Sequence, residues 1–389
     1  MYNEKTCQKC GTCLEQCPFL HLPIESAKIE ISKAIETRNS EKIISNCASC
    51  SYCNTVCPTG SNPYELIREI RLQNHREKGV RCTALIDKEI PHNLMSIGLE
   101  IDTEAKIQDL NLYENPPKSE KMFYVGCAIP YCFPDLAKTK LFENFPILGG
   151  MQYCCGGYVY SFFGKGEARI KGLELLDKFK AIGVKKLITF CPGCDLMIKG
   201  VYPSIINNFN VNGQTIIDYL IEKYHEGKFI IKNKIPQRIT FQDPCPWRHL
   251  DKTIYDGPRE FLEIIGAEVV EMKHNKEKSL CCGAPLSISN RTLATNIAKE
   301  RVTEAEQVNA EMIAHICTGC LTTLSRYTAE KKIKSYYITE LAQMATGERP
   351  FRKILENAKN LEKQVIKTIS KNPKILTERY IIKKGKISR

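Results

Sequence analysis

Cys281-Cys282-Gly283 is the second copy of a triplet that first occurs as Cys154-Cys155-Gly156, 127 residues earlier. Each triplet sits in the same larger frame. Cys127 precedes the first and Cys191-Pro192-Gly193-Cys194 follows it; Cys245 precedes the second and Cys317-Thr318-Gly319-Cys320 follows it. The closing pairs are offset by 126 residues. The opening interval differs, with 26 residues between Cys127 and Cys154 against 35 between Cys245 and Cys281. So regular a repeat of ten cysteines describes a duplicated module in which five thiols from distant parts of the chain converge, twice.

Around the frames, short apolar runs at 122–126, 186–190, 238–242, 268–272 and 312–316 read as buried strands. Residues 168–182, 255–266 and 291–309 read as helices. Their alternation predicts α/β units with short parallel sheets. Cys127, Cys191, Cys245 and Cys317 each fall at or just beyond the C-terminal end of a predicted strand, where open α/β sheets bind ligands. Each Cys-Cys-Gly arrives on a loop, and Gly156 and Gly283 allow the backbone to bend or to approach a bound group closely.

The first sixty residues carry a different cysteine pattern. Cys7-x2-Cys10-x2-Cys13-x3-Cys17-Pro18 is followed by Cys47-x2-Cys50-x2-Cys53-x3-Cys57-Pro58. This is the bacterial ferredoxin run, twice. In two-cluster ferredoxins the fourth cysteine of each run ligates the other cluster. Cys7, Cys10, Cys13 and Cys57 are therefore expected on one cubane [4Fe–4S] cluster, and Cys47, Cys50, Cys53 and Cys17 on a second. Structural zinc prefers two well-separated pairs of ligands, which these runs do not supply. Between the runs, Ile24, Ala27, Ile31, Ala34, Ile35 and Ile43 recur mostly at helical spacings, so the ferredoxin region is expected to be helix-rich.

A chain of 389 residues has room for two or three domains. The predicted division is a ferredoxin domain at 1–78, a linker at 79–120, modules at 121–235 and 236–345, and a basic extension at 346–389. Twenty cysteines in a chain that is neither small nor secretory argue for metal ligation over a disulfide framework. No apolar run reaches membrane-spanning length, and the N-terminus has no signal-peptide segment. The expectation is a soluble cytoplasmic protein, with a peripheral place on a membrane complex left open. The net charge of +12 is concentrated in residues 352–389, where twelve Lys and Arg from Arg352 to Arg389 oppose Glu356, Glu362 and Glu378, a net of +9. That tail reads as a solvated, partly helical extension or as a docking arm for an acidic partner. Few aromatics interleave with its charges, which argues against nucleic acid. Cys82 in the linker reads as a free thiol. Lys165, in Phe163-Gly164-Lys165-Gly166, lacks phosphate-loop spacing. Nor does any dinucleotide fingerprint stand out, so a flavin or nicotinamide is expected on another subunit.

The motifs around the frames carry a specific resemblance. Tyr124-Val125-Gly126-Cys127, Cys191-Pro192-Gly193-Cys194, Asp243-Pro244-Cys245, Tyr255-Asp256-Gly257-Pro258-Arg259, Cys281-Cys282-Gly283-Ala284 and Cys317-Thr318-Gly319-Cys320 resemble the CCG domains of the heterodisulfide reductase catalytic-subunit family. The relatives of that family include iron–sulfur subunits of anaerobic glycerol-3-phosphate dehydrogenase, glycolate oxidase and lactate-utilisation enzymes. With the ferredoxin region, residues 1–345 are similar to its fused ferredoxin-plus-two-CCG arrangement. The resemblance implies one or two noncubane [4Fe–4S] clusters. One would lie on Cys127, Cys154, Cys155, Cys191 and Cys194, where some relatives hold zinc instead; the other would lie on Cys245, Cys281, Cys282, Cys317 and Cys320. Cys132, beside the first frame, reads as a buried structural thiol, with a ligand role as the alternative. It further implies electron transfer from the ferredoxin clusters to a small thiol disulfide, within a complex that contains a flavoprotein or another donor subunit. Two alternatives are an electron-transfer subunit of a flavin-linked 2-hydroxyacid or glycerol-3-phosphate dehydrogenase, and an activation factor that reduces another metalloenzyme. One departure bears on catalysis. Relatives usually carry His directly after Asp-Pro-Cys, whereas this chain has Pro246-Trp247, with His249 the nearest imidazole; it reads as a helix-start or surface histidine, with a replacement acid as the alternative.

Overall fold

The computed structural model describes residues 1–101, 103–287, 289–350 and 354–389. Its first part is helical, as the spacing predicts. Helix Ile24–Thr37 buries Ala27, Ile31, Ala34 and Ile35. That stripe packs with Leu14, Ile43, Leu66, Ile67 and Ile70, and so against helix Pro63–Lys78. Pro63 stands at the start of this second helix, where its missing N–H costs no hydrogen bond. The two ferredoxin runs lie on short turns around this small core.

Eleven strands follow among the described residues, in three sheets. β1 (Val80–Arg81) leads to the first module, built on β2 (Lys121–Gly126), β3 (Ile147–Gly149), β4 (Lys186–Thr189) and β5 (Asn212–Thr215) in the order β3-β2-β4-β5. The second module repeats this with β6 (Arg238–Phe241), β7 (Glu268–Val269), β8 (Met312–His315) and β9 (Lys334–Tyr337) in the order β7-β6-β8-β9. Every pairing within these two sheets is parallel. Four of the predicted strands match β2, β4, β6 and β8, and the run at 268–272 contracts to the two residues of β7. β3, β5 and β9 have no counterpart in the sequence reading. β5, Asn-Gly-Gln-Thr, and β9, Lys-Ser-Tyr-Tyr, are edge strands. Having one neighbour instead of two, they need little of the apolar character that marks a central strand.

Alternation along the strands decides what the sheets pack against. Phe123 and Val125 of β2, Ile188 of β4, Ile239 and Phe241 of β6 and Ala314 of β8 enter one core shared by both modules. Met122, Tyr124 and Leu187 face a separate cluster of the first module, and Ile313 faces one of the second. One sheet face in each module is thus buried against the other module. The connection is reciprocal. Helix Ile216–His225, after β5, packs on helix Asp256–Ile264 of the second module. Helix Ile338–Thr346, after β9, reaches back to the first, where Thr339 Oγ1 donates to the Leu136 carbonyl at 2.8 Å.

The segment at 79–120, read as a linker, is structured and joined to the first module. It contains helices Leu94–Leu99 and Thr103–Glu114, and Met95, Leu110 and Tyr113 enter the shared core. The basic tail is likewise incorporated. Phe351, Arg352 and Lys353 lie outside the described residues. Helix Ile354–Lys371 packs on helices Leu94–Leu99 and Thr318–Thr328, and Glu362 pairs with Arg291 at 2.6 Å and Arg326 at 3.5 Å. β10 (Arg379–Lys383) and β11 (Lys386–Ser388) then form a hairpin, and β10 pairs antiparallel with β1. No helix among the described residues is long and apolar enough to cross a membrane.

Candidate metal centres

The topology gives each frame its place. The chain leaves β2 for the edge strand β3 on one side, then crosses to β4 on the other; β6, β7 and β8 repeat the pattern. The C-terminal ends of the two central strands in each sheet therefore flank a switch point, the usual ligand crevice of an open parallel sheet. Cys127 follows β2 at once, Cys191 lies two residues past β4, Cys245 four past β6, and Cys317 two past β8. The Cys-Cys-Gly loops enter from beyond β3 and β7.

The frames are continuous chains of thiols. In the first, Cys127 contacts Cys154, Cys154 contacts Cys155, Cys155 contacts Cys194, and Cys194 contacts Cys191. In the second, the contacts run from Cys245 to Cys281, Cys282, Cys320 and Cys317 in the same order. All ten cysteines named by the repeat are thus brought together. Neither Cys132 nor Cys82 joins this chain of contacts. Cys132 is buried on the first module, and burial pushes its thiol up to about 12. Cys82 is buried beneath the C-terminal hairpin.

Thiol neighbours connect the two ferredoxin runs, and Cys53 lies near cysteines of both. Cys13 has Cys57, Cys7 and Cys10 as thiol neighbours, whereas Cys17 has Cys50 and Cys47. Burial raises Cys13 and Cys17 to about 12, and the nearby thiols add to the rise. Such crowded, buried thiols ionise readily only when a metal's positive charge is present. Glycines stand directly beside the frame thiols. A Cβ on Gly126 would come 3.3 Å from Cys194 Sγ, and one on Gly193 or Gly319 would come 3.6 Å from Cys191 or Cys317 Sγ. No three His, Cys, Asp or Glu side chains among the described residues form a ready single-ion site. Soft, multiple thiol donors with glycines close beside them fit an iron–sulfur centre.

Buried polar contacts fix the loops. Tyr202 donates its hydroxyl to the Cys155 carbonyl at 2.5 Å, and Tyr124 donates to that of Tyr153. In the second module Gln242 Nε2 donates to the Leu280 carbonyl at 3.1 Å, while Arg301, wholly buried, holds Gln242 at 2.6 Å and Ser279 Oγ at 3.1 Å. Asp243 of Asp-Pro-Cys pairs with Arg259 of Tyr-Asp-Gly-Pro-Arg at 2.9 Å and accepts from the Lys276 N–H at 2.8 Å. These two sequence motifs are therefore halves of one buried ion pair.

Several further residues were not legible in the sequence. Trp247 is fully buried and donates its indole N–H to Asp195 Oδ2 at 2.9 Å, tying the turn after Cys245 to the helix that carries Cys194. Thr189 donates to the other oxygen, and burial raises Asp195 to about 6 despite both bonds. Tyr337 directs its hydroxyl to the carbonyls of Phe190 and of Ile316, at 2.9 Å for the latter. It thereby joins the residues immediately before Cys191 and Cys317. His249 ends the turn that begins at Cys245. Its ring packs 5.2 Å from Tyr64 of the ferredoxin region, partly buried, and burial lowers its pKa to about 4.

The ferredoxin region meets the second frame. Phe19, Ala48, Cys50 and Tyr52 share an apolar cluster with Leu280, Cys281, Leu286 and Ile297. Cys50 is a close neighbour of both Cys245 and Cys281.

Two cluster-type cysteine runs set against paired cysteine frames define an iron–sulfur electron-transfer protein. The known families agree with that reading. The CCG cysteine-rich domain matches residues 122–199 and 239–325, one copy per module, and the 4Fe-4S dicluster domain matches residues 4–61. The chain belongs to the heterodisulfide-reductase-like family of iron–sulfur oxidoreductases. It is 28% identical over 338 residues to one subunit of the dihydromethanophenazine:CoB–CoM heterodisulfide reductase of Methanosarcina barkeri, covering 78% of each chain. It is 27% identical over 330 residues to the EtfAB:quinone oxidoreductase of Syntrophomonas wolfei, covering 76% of this chain and 45% of that protein. The chain therefore spans less than half the length of the second relative. Among solved structures, a hypothetical protein from Helicobacter pylori shares the fold, with a TM-score of 0.50 at 13% identity over 86% of this chain and 68% of that one.

Proposed function

We propose that the chain carries electrons between two ferredoxin-type [4Fe–4S] clusters and noncubane [4Fe–4S] centres in the two frames, for reduction of a small thiol disulfide. The ferredoxin clusters are assigned to Cys7, Cys10, Cys13 and Cys57 and to Cys47, Cys50, Cys53 and Cys17. The frame centres are assigned to Cys127, Cys154, Cys155, Cys191 and Cys194 and to Cys245, Cys281, Cys282, Cys317 and Cys320. In the overall reaction a disulfide takes up two electrons and two protons and leaves as two thiols. Iron–sulfur centres supply the one-electron steps and a soft metal surface for sulfur. The observation that carries the reading is the buried cluster that Cys50 shares with Cys281 and against which Cys245 packs, closed by the bond from Arg248 to the Cys50 carbonyl. It supports direct electron passage from the ferredoxin region into the second frame.

The protein's own side chains orient and shield. Tyr124, Tyr202, Gln242 and Arg301 fix the Cys-Cys-Gly loops. Tyr337 and the Trp247–Asp195 bond hold the two frames in mutual register. His249 is read as a packing residue of the ferredoxin contact instead of a replacement acid. The matching thiol order of the two frames supports the same kind of occupant in both, in preference to zinc in the first. Iron and sulfide analysis with EPR on anaerobically purified protein tests the assignment: clearly more than about eight irons per chain, with signals beyond those of two ferredoxin clusters, is expected. About eight irons with ferredoxin signals alone overturns the noncubane assignment. Turnover of a thiol disulfide with an artificial donor tests the substrate class.

A second reading is favoured by one observation. Pro246 and the buried Trp247 occupy the place where an acid beside Cys245 would stand. The chain would then be the electron-transfer subunit of a flavoprotein complex, with substrate bound by a partner. Recovery of a flavoprotein with the tagged chain, together with no disulfide turnover by the isolated chain, is the outcome expected of it.

A further inference from the structure

Arg248 stands three residues after Cys245, on the same short turn, Cys245–His249. Its guanidinium donates to three main-chain carbonyls: Cys50 at 2.6 Å, Glu277 at 2.7 Å, and Ser279. Ser279 lies two residues before Cys281. A single side chain therefore binds together the segments carrying Cys50, Cys245 and Cys281. An arginine suits this task because its donors are set in a rigid planar fork. The ring of Tyr52 lies 5.7 Å from the guanidinium carbon.

The charge is not cancelled locally, since no carboxylate lies within 4.0 Å of Arg248 among the described residues. The guanidinium is bonded to the Cys50 carbonyl and shares one short turn with Cys245, so its positive charge stands beside both segments. Arg248 is partly buried beside the apolar cluster of Phe19, Leu280 and Leu286, so its field is less screened than in open water. The duplication makes the feature asymmetric. Three residues after Cys127 the first frame has Pro130, which lacks any charge or side-chain donor.

We infer that Arg248 is the positioning residue for one-electron transfer between the ferredoxin set Cys17, Cys47, Cys50 and Cys53 and the second frame, and that its cationic charge favours the reduced state on both sides. This rests on the cluster assignment proposed above. Adding an electron makes each centre more negative, so a nearby fixed cation stabilises the reduced form and removing it lowers the potential. The electron is released by one centre and taken up by the other, with no bond made or broken at Arg248.

The test compares the full-length chain with Arg248→Gln and Arg248→Lys, purified anaerobically. Iron content is measured first, then EPR-monitored redox titrations, then the rate at which the second-frame signal changes after rapid reduction of the ferredoxin clusters. In Arg248→Gln the midpoint of the Cys50 set should move to lower potential. Transfer into the second frame should slow by about tenfold or more, the effect expected from losing a hydrogen bond to a charged group. Arg248→Lys keeps the charge but not the fork, so its midpoint should stay near the parent's while transfer still slows. Parent-like midpoints and rates in Arg248→Gln, at full iron content, overturn the inference. Should Arg248→Gln lose iron, Arg248→Lys decides, and an unchanged transfer rate there overturns it. A parent chain with no iron on these cysteines fails the cluster assignment itself, a different result.

Discussion

Gly283 adopts a left-handed backbone at φ +86, and a Cβ placed on it would lie 2.6 Å from the Ala294 carbonyl oxygen. Both conformation and space therefore require glycine. Gly283→Ala is expected to cost about 2 kcal/mol or more in thermal unfolding, with iron lost from the second frame before the first. An unchanged melting temperature at full iron would refute the account. His249 gives a pH prediction of defined sign. Burial lowers its pKa from 6.5 to about 4, so the fold prefers the neutral ring and the unfolded chain binds the extra proton. Its contribution is fully present above pH 6.5 and is lost as pH falls toward 4, by up to about 3 kcal/mol. Denaturant titrations across that window should show the loss, and His249→Phe should reduce it. The sequence offered His249 only as the nearest imidazole; what surrounds the ring is a matter of tertiary contact.

Single hydrogen bonds join whole elements at the module junction. The turn Cys245–His249 is tied through Trp247 to Asp195, at the end of helix Pro192–Asp195. Trp247→Phe preserves the ring packing against Phe241 but removes the indole donor. A buried carboxylate then loses one of its two partners, at about 1.5–3 kcal/mol. The expected result is a lower denaturation midpoint with unchanged ferredoxin EPR signals; equal midpoints would show that the bond contributes nothing. The strand reading illustrates what periodicity can and cannot show at this scale. β2, β4, β6 and β8 announce themselves because central parallel strands are apolar on both faces. β5 and β9 do not, because an edge strand tolerates Asn212, Gln214, Lys334 and Ser335. β7 shrinks to two residues because pairing with β6 extends only over Glu268 and Val269.

At the scale of the whole molecule, the C-terminal hairpin closes over the first frame's side of the protein. Ile375, Tyr380 and Ile382 share a buried cluster with Val80, Cys82, Cys154 and Val159. Removing residues 372–389 is therefore expected to uncover this cluster and deplete iron from the first frame, while the ferredoxin signals persist. Replacing the exposed Lys383, Lys384 and Lys386 by Ala leaves the cluster intact and isolates the docking question. Loss of partner binding in that variant would support an acidic partner, and retained binding would exclude these lysines from docking. The cysteine spacings by themselves marked the two ferredoxin runs, the duplicated module and the two five-cysteine frames, because these runs have short, local spacing and the duplication repeats its frame. Only the tertiary structure decided that the linker and tail are built into the body, that the modules share one core, and that the second frame adjoins the ferredoxin region. Those facts depend on contacts such as Tyr337 with Phe190 and Arg248 with Cys50, which join residues 147 and 198 positions apart. No local pattern records a contact made across such a separation.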